Sequence, residues 1–172
     1  VSLVGGKLWV RYLQDVVARM RGFDLEGRPF RELAMPTLGT LSGLGGDFDR
    51  DEAFFSFGSY NTPTTVYRYS VARDQRSVFW RQNVRFDTDA YEVRQVWFTS
   101  RDGTRVPMFV AHRRDLALDG TNPVYLTGYG GFNISQTPGF SAQYAVWMER
   151  GGIVAVPNLR GGSEFGEAWH RA

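Results

Sequence analysis

The sequence predicts a mixed fold, with antiparallel β-structure through the first half of the chain and then a sheet that opens as a hairpin and turns parallel. Three observations predict it. Strand-like runs alternate with turn residues up to residue 88. The texture changes near Asp87-Thr-Asp89, after which hairpin, strand, helix, strand and helix patterns follow in that order. Finally, the segment Val124-Tyr-Leu-Thr-Gly-Tyr-Gly-Gly-Phe-Asn-Ile-Ser135 ends an apolar run at a glycine-flanked Tyr129 and a double glycine.

In the first half, Leu8–Tyr12 and Phe54–Phe57 are β-rich runs. Val17–Phe23 and Thr65–Val71 alternate apolar with polar residues, the period of a half-buried strand. Glu26-Gly27 and Arg73-Asp-Gln75 supply turns, and Pro29–Leu33 and Ser77–Arg81 follow as short outer strands. Leu8, Val10, Phe23 and Leu25 are echoed 46 residues later by Phe54, Ser56, Tyr69 and Val71, with Ser56 the poor match. A period of about 40–50 residues with about four strands per unit is that of propeller blades. The pattern alone leaves a β-sandwich open.

In the second half, Val93–Thr99 and Val106–Ala111 flank Asp102-Gly103, a strong hairpin turn. The polar loop Asp115–Asn122 leads into the apolar strand Val124–Thr127. Ser141–Arg150 is helix-like and is stopped by Gly151-Gly152. Ile153–Val156 is a continuous apolar run, as in a strand buried on both faces of a parallel sheet, and another helix begins at Glu167. An antiparallel pair feeding a parallel β-α-β unit is how an α/β-hydrolase sheet begins; a dinucleotide-binding fold opens directly with β-α alternation. Gly128-Tyr-Gly-Gly-Phe also fails G-x-G-x-x-G, because Asn133 occupies the last glycine position.

Composition narrows the chemistry. The 172 residues are 42% hydrophobic and 15% aromatic, values of a packed globular protein. There is no cysteine, which excludes disulfides and thiolate catalysis and fits a reducing compartment. Arginine supplies 19 of the 20 basic residues, but they are scattered and the net charge is only +2, so no nucleic-acid groove is expected. No segment reaches the roughly 18 apolar residues of a membrane span, and the N-terminus lacks the basic and apolar regions of a signal peptide. Both ends read as interior to a longer protein.

Few residues have a reactive setting. Gly161-Gly-Ser163 suggests a nucleophile elbow, but Phe165 stands where G-x-S-x-G needs its second glycine, and six residues separate Ser163 from the strand end at Val156. A loop or helix-cap role suits Ser163 better. His112 reads as a solvated strand terminus beside Arg113-Arg114, and His170 as a packing or capping residue after Trp169. No His or carboxylate cluster has metal-ligand spacing, and Asp47-Phe-Asp-Arg-Asp51 followed by Glu52 fails the EF-hand pattern. Neither a metal nor a cofactor is expected. A strand that stops at a double glycine instead exposes backbone N–H groups and, here, one aromatic hydroxyl. Hydrolases place oxyanion donors there, in the loop after the third strand.

Gly128-Tyr-Gly-Gly-Phe-Asn-Ile-Ser135, with Asn158-Leu-Arg-Gly-Gly-Ser-Glu-Phe-Gly166 and Trp169-His170 downstream, resembles the prolyl oligopeptidase family. Ser56-Phe-Gly-Ser-Tyr-Asn-Thr-Pro63, Ser100-Arg-Asp-Gly-Thr-Arg-Val-Pro-Met-Phe109, and His112 through Leu118-Asp-Gly120 agree in order and spacing, so the resemblance covers nearly the whole chain. Gly-Gly-Phe-Asn after the Gly-Tyr pair, in place of the Gly-Ser-Tyr-Gly of the oligopeptidase B group, favours the proline-specific branch.

The resemblance implies the C-terminal blades of a β-propeller over residues 1–88 and the opening of an α/β-hydrolase catalytic domain over residues 89–172. It implies that Tyr129 donates its hydroxyl to the oxyanion and that Phe132 lines the pocket for proline. The intact protein would be a serine endopeptidase cleaving short proline-containing peptides after proline. It would be a cytoplasmic monomer, with the periplasm as the other compartment, and would need no cofactor, nucleic acid or membrane. The family's Ser, Asp and His follow in that order beyond this segment, so the 172-residue chain by itself is expected to hydrolyse nothing. The alternative reading is a non-catalytic β-propeller binding module.

Overall fold

The computed structural model describes all 172 residues. Strands β1 (Ser2–Val4), β2 (Lys7–Gln14), β3 (Val17–Phe23) and β4 (Pro29–Glu32) form an antiparallel sheet in chain order. The second sheet is built from β5 (Thr40–Leu41), β6 (Gly45–Gly46), β7 (Glu52–Ser59), β8 (Thr62–Ser70) and β9 (Gln75–Arg81). Its order is β5-β7-β8-β9, with β6 also paired to β7. Both are antiparallel units built on a four-strand path, the arrangement of a propeller blade, with β6 an extra two-residue strand on β7; β4 and β9 lie at the outer edges as the turn signals predict.

The two sheets share one core containing Trp9, Met20, Leu33, Leu41, Phe55, Phe57, Tyr67 and Tyr69. The repeat in the sequence differs from this core in the face it marks. Trp9 is fully buried, whereas Leu8, Val10, Phe54 and Ser56 are only half buried. Leu8 pairs with Phe23, but Phe54 pairs with Arg68 and not with Tyr69. A register shift between Phe57 and Ser59 adds a residue to the second hairpin, so one spacing cannot serve both strands of the unit. Leu25, counted in the echo, lies exposed in the turn after β3.

A short 3-10 turn at Thr88–Ala90, capped by the Asp87 side chain, precedes the third sheet. That sheet holds β10 (Tyr91–Thr99), β11 (Arg105–Arg113), β12 (Val124–Leu126) and β13 (Ile153–Pro157) in the order β10-β11-β13-β12. The pairs β10/β11 and β11/β13 are antiparallel, and β12/β13 is parallel, with Val124 opposite Ile153. Helix α1 (Ala142–Glu149) makes the crossover, and α2 (Glu167–Arg171) follows β13. The end of α1 is a Schellman cap: the Gly151 N–H donates to Met148 and the Gly152 N–H to Trp147. Val154 through Pro157 are all buried, which is why this strand reads as a continuous apolar run. No helix is long and apolar enough to cross a membrane.

A second core locks the blades to this mixed sheet. Val16 from the β2–β3 turn, Val17 at the start of β3 and Tyr60 from the β7–β8 turn pack with Tyr91, Val93, Phe109, Ala111, Met148, Val154 and Val156. The buried Asn61 amide donates to the Tyr91 carbonyl at 3.1 Å. Trp9→Ala is expected to destabilise the protein by about 3–5 kcal/mol, and Leu8→Ala by only about 1 kcal/mol. Denaturant unfolding checks this, and equal losses at the two positions would contradict the burial assignment.

Candidate active site

The carboxyl ends of parallel strands β12 and β13 each continue into a glycine-bearing loop, Thr127–Ser141 and Asn158–Gly166. The loops meet backbone to backbone. A Cβ on Gly130 would stand 2.6 Å from the Arg160 carbonyl oxygen, and one on Gly161 would stand 2.4 Å from the Gly130 carbonyl oxygen. Both glycines also have positive φ, +63° and +98°, so a side chain is excluded by conformation as well as by space. The Asn133 N–H donates to the Gly161 carbonyl at 3.1 Å, and the Ile134 N–H to Gly131 at 3.1 Å, which closes the turn.

This seat presents Tyr129 and Phe132 side by side. Their rings stack at 6.4 Å with 24° between planes, and they are 48% and 84% exposed. Phe132 and Asn133 are held at φ +52° and +57°, a left-handed pair with no glycine. Such backbone costs of order 1–3 kcal/mol per residue and persists only where the surroundings impose it. The strain aims Phe132 outward, an unfavourable place for an aromatic ring unless something covers it.

The other reactive candidates are occupied. The hydroxyls of Ser163 and Ser135 bond at 2.8 Å. Ser163 serves the loop rather than a helix, because Gly166 caps α2. His170 donates from Nδ1 to the Gly161 carbonyl at 2.8 Å. His112 corrects the sequence reading: it is 2% exposed, not solvated, donates from Nδ1 to the Arg113 carbonyl at 2.7 Å and has Glu92 at 3.6 Å. It is the penultimate residue of β11 and is buried there, a placement that the adjacent arginines obscure in the sequence. Asp51, in the rejected EF-like run, accepts from the Ser70 hydroxyl at 2.5 Å and the Ala72 N–H at 2.6 Å.

Sequence reasoning missed Asn158 and Glu164, both buried under the Tyr129 loop. A carboxylate set among glycine, serine and phenylalanine was the available signal. Arg160, whose carbonyl faces Gly130, forms an ion pair with Asp102 at the β10–β11 turn. The Thr104 N–H, then the Arg160 guanidinium, pull the Asp102 carboxyl down to about 2 from 3.8.

The wider likenesses agree with this geometry. Residues 1–82 match the family model described as prolyl oligopeptidase, N-terminal beta-propeller domain, and residues 138–172 match the one described as prolyl oligopeptidase family. The chain belongs to the prolyl oligopeptidase family. It is 42% identical to the prolyl endopeptidase of Elizabethkingia miricola over 172 residues, which is 100% of this chain and 24% of that protein. Among solved structures, it superposes with a TM-score of 0.87 and 43% identity on a prolyl endopeptidase studied for inter-domain dynamics in catalysis and specificity, covering 100% of this chain and 25% of that one. Prolyl oligopeptidase B from Galerina marginata gives 0.88 at 32% identity, over 97% of this chain and 24% of that one. The chain therefore spans about a quarter of the length of the relatives it matches. The first two sheets are propeller blades of this family, and the mixed sheet is the start of its hydrolase domain.

The Asp102–Arg160 pair yields a pH prediction. Because the folded carboxyl titrates below its ordinary 3.8, its contribution to stability is complete above about pH 4 and is lost as pH falls toward 2. Asp102→Asn should therefore lower the unfolding midpoint slightly above pH 4, and the difference from wild type should vanish near pH 2. A difference that stays constant across that window would contradict the assignment.

Proposed function

We propose that the protein carrying this chain is a serine endopeptidase that hydrolyses short peptides on the carboxyl side of proline. The observation that carries this reading is the exposed Tyr129–Phe132 pair on a strained, glycine-seated loop at the carboxyl end of the hydrolase sheet's third strand. The relatives' names, prolyl endopeptidase and prolyl oligopeptidase, support the proline specificity. The proposal divides the chain at residues 88 and 89, with the blades before and the hydrolase opening after. It also takes the protein as a monomer of the cytoplasm, a compartment with which the cysteine-free sequence is compatible.

In this reading a serine outside the chain attacks the prolyl carbonyl, with a histidine as general base and an aspartate orienting that histidine. The Tyr129 hydroxyl donates to the oxygen as it becomes an oxyanion. One such preorganised donor is worth about 3–4 kcal/mol in the transition state. The exposed Phe132 ring forms an apolar wall for the pyrrolidine ring, which also accounts for an aromatic side chain standing free of the core.

Two substitutions in the full-length protein separate the roles. Tyr129→Phe keeps the ring and removes one donor, so kcat on a neutral proline peptide should fall about 10²–10³-fold while KM is nearly unchanged. Phe132→Ala should raise KM chiefly, with an effect that depends on the residue offered to the pocket. A rise in KM alone for Tyr129→Phe would make its hydroxyl a ground-state contact and remove the oxyanion role.

A further inference from the structure

We infer that Glu164 and Asn158 are positioning residues that hold the Tyr129–Phe132 loop in register. The inference rests on the oxyanion reading of Tyr129. Both backbone groups of Gln136 are taken by this side-chain pair: its N–H donates to Glu164 Oε1 at 2.9 Å, and its carbonyl accepts from Asn158 Nδ2 at 2.7 Å. Asn158 Nδ2 also reaches Glu164 Oε1 at 3.3 Å, which closes a clamp around one residue of the loop. Asn158 is fully buried and Glu164 is 8% exposed.

The clamp is an expensive arrangement to bury. Glu164 Oε2 and Asn158 Oδ1 find no hydrogen-bond partner, and buried polar atoms of that kind are rare in folded proteins. The parallel ladder of β12 and β13 does not use them, since it runs through Val124–Leu126 and Ile153–Ala155. What they flank is the strained pair Phe132 and Asn133. On one side of that pair, Gly130 is wedged against Arg160 and Gly161; on the other, Gln136 is gripped by Asn158 and Glu164. With either anchor released, the left-handed residues can relax toward ordinary backbone, and the Tyr129 hydroxyl moves with them. Displacement of a reacting group by about 1 Å commonly lowers rate about 10²-fold.

A double-mutant cycle in the full-length protein tests this. Glu164→Ala should lower kcat on a neutral proline peptide about 10- to 100-fold, yet less than about threefold when Tyr129 is already Phe, because the donor it positions is gone. Glu164→Gln keeps the acceptor for Gln136 and Asn158 and should recover activity to within about threefold of wild type. Should Glu164→Ala fail to fold, Gly162→Ala replaces it. Its added methyl would stand 2.1 Å from Glu164 Oε2 and 2.8 Å from the Ile134 carbonyl oxygen, pressing on both the carboxylate and the loop it holds, and should show the same coupling to Tyr129. If Tyr129→Phe lowers kcat and the losses simply add, the positioning role is wrong while the oxyanion reading survives. If Tyr129→Phe leaves kcat intact, the oxyanion reading fails and the positioning role falls with it.

Discussion

The contact between Gly130 and the Arg160–Gly161 backbone fixes how the two loops at the carboxyl end of the hydrolase sheet share space. Any side chain at Gly130 or Gly161 would drive those backbones apart. Because the loops leave neighbouring parallel strands, β12 and β13, their separation at the start is set by the ladder itself. The glycines let them stay close beyond the sheet, and the Asn133 to Gly161 hydrogen bond then turns the first loop over the second. Tyr129 and Phe132 project from that crest. The local strain at Phe132 and Asn133 is thus held by packing beneath it, in buried groups such as Asn158 and Glu164, and not by the exposed side chains themselves.

The same sheet is tied to the blades by a core that neither part completes alone. The β2–β3 turn contributes Val16 at φ +66°, an uncommon conformation for a β-branched residue, and it is fully buried. Asp15 precedes it at φ +48°, and its carbonyl accepts from the Gln95 side chain of β10 at 2.6 Å. With Tyr60 packed 5.9 Å from Phe109 and 6.1 Å from Tyr144, the blade turns reach β11 and the crossover helix. Strands β10 and β11 and the crossover helix are therefore braced against the propeller side through side chains, not through a linker.

Much of this was legible in the sequence for identifiable reasons. Asp102-Gly103 marks a hairpin because its turn chemistry is local, and Ile153–Val156 marks a central strand because burial on both faces leaves no polar residue to interrupt it. Gly151-Gly152 marks the end of α1 because a Schellman cap is a local device. The blade register was not legible: Trp9 and Leu8 are both apolar, and the register shift between Phe57 and Ser59 changes cross-strand partners without breaking the alternation along either strand. Tyr129 and Phe132 stood out through glycine spacing. Glu164 and Asn158 did not, because their importance lies in bonds to Gln136, a residue 28 and 22 positions away. His112 reads as solvated in the sequence for a related reason, since burial near a strand end depends on what covers it.

The most direct test of the central claim is a crystal structure of the full-length protein with a peptide aldehyde ending in proline bound as a tetrahedral adduct. The Tyr129 hydroxyl should stand about 3 Å from the adduct oxygen, with the Phe132 ring against the pyrrolidine and the Gly130–Gly161 contact unchanged. An adduct oxygen held by other donors, with the Tyr129 hydroxyl turned away and Phe132 out of contact with the proline, would contradict it.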